Sequence, residues 1–164
     1  MFLFGYWPIK IGPITLQEAL RIIEFDVLKV EAYTGQEEGL VFLFTTKRDV
    51  GAMFTKLGQF GWKYDTMIWA GSLDQNRLQP VVFEDRLIYG LLEKADDKKI
   101  LANGVRAEMI KLDFFPIVVI EEYGLQNSWV WYVKDPPVGS VLVELVDTNT
   151  GEVIEESELD VGDD

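Results

Sequence analysis

The sequence predicts a single α+β domain, an antiparallel or mixed sheet covered by two to three helices, with a second half rich in β-hairpins. Three observations carry this expectation. Residues 114–133 hold the densest aromatic and β-branched content of the chain, which reads as a central core hairpin. The first 70 residues alternate β-favouring runs with stretches of helical spacing. At 164 residues, 48% of them apolar, the chain is long enough to bury a substantial core without staples.

Residues 2–7 are β-favouring and end at Pro8, and Gly12-Pro13 marks a turn. Thr15 and Glu18 form a capping box, after which Leu16, Ala19, Leu20 and Ile23 recur at helical spacing, so a first helix runs to about Phe25. Residues 27–33 alternate as a strand, 34–39 turn, and 40–44 form an apolar strand expected to pair with it. Val50, Met53, Phe54, Leu57 and Phe60 then suggest an amphipathic second helix closed by Gly58 or Gly61, followed by a strand over 62–70. The resulting order β-α-β-β-α-β is that of a ferredoxin-like sheet, a plan too widely used to imply a function.

In the second half, residues 80–83 read as a short strand, and Leu87, Ile88, Leu91 and Leu92 as one face of a third helix over about 85–93. Asn103-Gly104 is the favoured pair for a two-residue hairpin turn between arms at 99–102 and 105–112. The central hairpin joins a strand at 117–120 to one at 129–133. A closing hairpin pairs 138–146 with 153–154 around the turn at 147–151. Residues 1–154 are thus expected as the domain and 155–164, which hold six carboxylates and no base, as a flexible acidic tail.

With no cysteine and no histidine, the chain has no disulfide, thiolate nucleophile, imidazole base or Ser-His triad. Chemistry would fall to carboxylates, lysine, tyrosine or serine, or to a hard cation held by oxygen. The net charge of −13 disfavours nucleic-acid backbones and anionic lipids as partners. No apolar run reaches the roughly 18–20 residues of a membrane-spanning helix. The hydrophobic start of the chain is short and has no basic region ahead of it, so a cytoplasmic location is expected.

Three functional readings follow. The first is a non-catalytic protein-interaction module, such as an inhibitor, an immunity or anti-defence factor, or an assembly subunit. It would use an acidic, aromatic surface, bind a protein partner, need no cofactor and be open to homo-oligomerisation. The second is a Mg²⁺- or Ca²⁺-dependent hydrolase with Glu121, Glu122 and Asp85 as ligands or acid and base. The third is a module stacking sugars or bases on Trp129 and Trp131, which share one strand face. An acidic surface imitating nucleic acid would need carboxylates held rigidly at phosphate-like spacing, which a flexible tail does not supply.

Overall fold

The computed structural model describes residues 27–162, and the first strand and first helix expected before them lie outside those residues. The chain divides into two compact units, the first closing at Ser72 and the second opening at Leu73. The described residues are mostly antiparallel sheet, with a single short helix. The expected α+β class, with two to three helices over one sheet, is therefore corrected to a mostly β fold.

In the first unit, β1 (Leu28–Thr34), β2 (Glu38–Phe44), β3 (Asp49–Gly58) and β4 (Gly61–Ser72) form an up-and-down meander in sequence order. β1 and β2 pair as expected. The second helix is instead β3, and with it goes the ferredoxin-like order. Val50 to Thr55 are all buried, so the stretch is covered on both faces, and such a run shows no clean two-residue alternation. Helical spacing in it is a coincidence of composition. Gly51 marks the strand more directly: a Cβ there would stand 2.8 Å from the ring of Trp69, its cross-strand partner. Val41, Leu43 and Met53 form a core cluster on one face, packed by Trp62, Tyr64, Met67 and Trp69.

The second unit holds two four-stranded sheets. One has the order β5 (Val81–Phe83), β6 (Leu87–Glu93), β10 (Ser128–Lys134), β9 (Glu108–Lys111). The other runs β12 (Val153–Val161), β11 (Gly139–Asp147), β7 (Lys98–Ala102), β8 (Val105–Arg106). Ile88, Leu92, Trp131 and Val133 of the first sheet share a core with Ile100, Ala102, Val141, Val143, Leu145 and Val161 of the second. The sheets are two layers over one hydrophobic interior.

The expected third helix is β6. Leu87 to Leu92 are all buried, and Gly90 sits opposite Trp131 in register, leaving the space the indole fills. The Asn103-Gly104 turn forms as read, with φ of 47° and 81°, the left-handed pair a two-residue hairpin requires. Beyond it the arm breaks at buried Ala107, and β9 crosses into the other sheet.

The strand expected at 117–120 is the helix α1 (Ile117–Tyr123). Its limits are set by local chemistry. Pro116 stands at the N-cap in an extended conformation, and its carbonyl accepts from the amides of Val119 and Ile120. At the other end Gly124 takes the left-handed conformation, its amide donating to Glu121 O while the Leu125 amide reaches Ile120 O. That pair of bonds is a Schellman termination. The acidic tail is likewise corrected: residues through Val161 pair with β11 along the length of β12, Val141 opposite Leu159 and Glu144 opposite Glu156. Its alternation of Glu155, Ser157 and Leu159 inward with Glu156, Glu158 and Asp160 outward is a strand pattern that the carboxylate count obscures.

Candidate functional site

α1 buries none of its residues. A seven-residue segment with four aliphatic side chains in succession would ordinarily be core, since leaving an Ile or Val in water forgoes about 1.5–3 kcal/mol each. Here Ile117 is 72% exposed, Val118 70% and Phe114 59%. Phe114 and Phe115, immediately before the helix, hold their rings 4.4 Å apart at 38°. Exposed apolar side chains therefore gather on a helix and its leading turn, in a segment that also carries the exposed carboxylates Asp113, Glu121 and Glu122.

The surface is held in place from behind. Gln75 donates through Nε2 to the carbonyl of Gly124, which ends α1, and accepts through Oε1 from the buried Ser128 hydroxyl at the start of β10. The Gln75 carbonyl also takes the Glu93 amide at the end of β6. One side chain therefore ties the loop before β5 to the end of α1 and to the central strand. Gln75→Ala is expected to lower stability by about 1–3 kcal/mol, because it removes the bond to the buried Gly124 carbonyl and leaves the Ser128 hydroxyl only its longer bond to the Gln126 carbonyl, at 3.2 Å. A urea titration reads the shift in midpoint.

On the other side of the helix in sequence, the Lys111 ammonium lies 2.7 Å from Asp96 Oδ1, 3.9 Å from Asp113, and 5.6 Å from the centre of the Trp129 ring. The hydrogen bond from Lys111 holds the Asp96 carboxyl below its ordinary 3.8 and pushes the lysine above its ordinary 10.5. A depressed carboxylate contributes stability that is in place above pH 3.8 and is lost as pH falls through its lowered folded value. The raised lysine contributes below pH 10.5 and loses its part as pH rises past it. Carbon-detected NMR titration of Asp96 should give a midpoint under 3.8 that returns towards 3.8 in Lys111→Met.

The residues singled out from sequence scatter. Glu121 and Glu122 are exposed on α1, whereas Asp85 is exposed in the turn between β5 and β6, beside the position a Cβ on Gly162 would occupy. Among the described residues no group of three or more Asp, Glu, His or Cys is placed to hold a metal ion. Trp129 and Trp131 do share a face, as alternation requires, and that face is the inner one. Trp131 is fully buried and presents no ring face to solvent. Trp129 packs at the margin of the same core, its buried indole N–H without an acceptor among the described residues.

Sequence reasoning placed Phe114, Ile117 and Val118 in the core on hydrophobicity alone. The signal that separates them was present: Pro116 directly before and Gly124 directly after a seven-residue segment is the proline-first, glycine-last signature of a short helix. No helix of the described residues is long and apolar enough to cross a membrane. No protein-family model, curated protein or solved structure matches the chain.

Proposed function

We propose that the chain is a non-catalytic protein-interaction module that docks a partner protein through α1. The observation that carries the reading is a structured helix whose apolar side chains Ile117 and Val118, with Phe114 beside them, face solvent while none of its residues is buried. Contiguous exposed apolar surface rimmed by polar groups is the usual mark of a docking site. The rim is acidic, from Asp113, Glu121 and Glu122, so the partner that fits it offers an apolar pocket bordered by lysine or arginine. Burying the three apolar side chains supplies the anchor, and the carboxylates supply orientation and encounter rate.

The test is photo-crosslinking from a benzoylphenylalanine at position 118, with the full chain in native lysate. A single different protein captured in stoichiometric yield, with the yield falling as ionic strength rises, is the expected result. Absence of any adduct, or an adduct only with a second copy of the chain, overturns the reading.

A further inference from the structure

Among the described residues, both sheets of the second unit end in strands that have a neighbour on one side only. Three of those four edges are short, β5 with three residues, β9 with four and β8 with two, and short edges offer little to pair with. β12 is different: it is a nine-residue edge that, among the described residues, pairs with β11 alone. Beyond its ladder to β11, no backbone amide of residues 153–161 bonds to another described residue. Its outward side chains Glu156, Glu158 and Asp160 come every second residue and so about 6.6–7 Å apart along the strand, and Ile154 is exposed where the register to β11 shifts.

We infer that β12 is a docking edge for an extended basic segment of a partner protein, which adds to the sheet as an antiparallel fifth strand. The charge pattern selects this occupant. A second copy of the chain pairing β12 against β12 would set Glu156, Glu158 and Asp160 against their own counterparts, and like charges directly opposite are destabilising. A strand with bases at alternate positions meets the same three carboxylates as cross-strand pairs and covers Ile154 with its last apolar residue. Glu144 strengthens the field from the neighbouring strand, directly opposite Glu156. Glu158 is already held in place by a hydrogen bond from the Ser140 hydroxyl at 2.7 Å, which pre-orients it on the outer face. The inference rests on the interaction-module reading and adds to α1 a second contact of different chemistry, made by backbone and charge and not by apolar burial.

The experiment uses a labelled peptide, Lys-Thr-Lys-Val-Lys-Thr-Ile, titrated with the intact chain by fluorescence anisotropy. Two further peptides carry N-methyl groups, one on the amides of the odd residues and one on those of the even residues. Strand addition predicts that one of the two binds like the parent and the other is weakened at least tenfold, because alternate amides of a strand point to opposite edges. It predicts a comparable loss for the parent peptide with Glu156→Lys, Glu158→Lys and Asp160→Lys combined, checked for an unchanged circular dichroism spectrum. Equal binding of both methylated peptides would reduce the contact to ion pairing and overturn the proposal, as would failure of the parent peptide to bind. Ile117→Ser with Val118→Ser must leave peptide binding unchanged, so failure at β12 stays separate from failure at α1.

Discussion

Replacing Trp131 by alanine is expected to cost about 3–5 kcal/mol, the largest single loss available in the second unit. The side chain is fully buried at the centre of β10 and lies in the core shared by both sheets, so truncation opens a cavity lined by residues of each layer. Its counterpart is Gly90, directly opposite on β6, where an added Cβ would stand 2.7 Å from Cε2, Cζ2 and Nε1 of the indole. Contacts that short force the ring or the strand to move, so Gly90→Ala alone should cost about 1–3 kcal/mol. The two changes are not independent. With Trp131→Leu already in place, Gly90→Ala should cost much less, so a double-mutant cycle read by chemical denaturation should show a combined loss smaller than the sum of the two single losses. Additive losses would mean that the indole does not occupy the space above Gly90.

Ile117→Ser combined with Val118→Ser is expected to weaken partner binding about 30-fold or more, the scale of a lost anchor cluster, while leaving the unfolding free energy within about 0.5 kcal/mol of the parent. Both side chains are about 70% exposed, and serine has a helix propensity close to that of isoleucine and valine, so neither packing nor helix formation changes much. Calorimetric titration of the captured partner, beside a denaturant curve for each chain, separates the two quantities. A large fall in stability would show that the residues are core after all. Unaltered affinity would move the contact away from α1.

What could be read from residues depended on whether local chemistry or burial decided the outcome. The turn at Asn103-Gly104 was legible because the left-handed backbone it needs is a property of those two residues. β1 was legible from its alternation, and β2 from a short apolar run bounded by turn residues. β3 and β6 were misread as helices for one reason: both are buried on both faces, so the two-residue period vanishes and any apolar spacing can be found in them. In each, the glycine facing a tryptophan, Gly51 to Trp69 and Gly90 to Trp131, is the feature a helix would not need. That pairing depends on strand register and is invisible before the fold is known. β12 failed in the opposite way, since six acids in ten residues outweighed a sound alternation.

The candidate surface was hidden by the rule that apolar residues go inside. Residues 117–120 satisfy every compositional test for a core strand, and only their punctuation by Pro116 and Gly124 says otherwise. The acids Glu121 and Glu122 were noticed for catalysis, whereas the structure leaves them exposed on the same short helix as Ile117 and Val118. Tryptophan content drew attention to Trp129 and Trp131 because large aromatics serve both cores and binding sites, and only burial tells the two apart.

Amide hydrogen exchange across α1, with and without the captured partner, tests the central claim most directly. In the free chain the amides of Val119, Ile120 and Gly124 are bonded within an element that buries no side chain, so they should exchange quickly compared with those of β10. Docking on the apolar face predicts slowing of at least tenfold over residues 117–124 in the complex. Exchange in that segment unchanged by the partner, with protection arising elsewhere, would contradict the assignment of α1 as the docking surface.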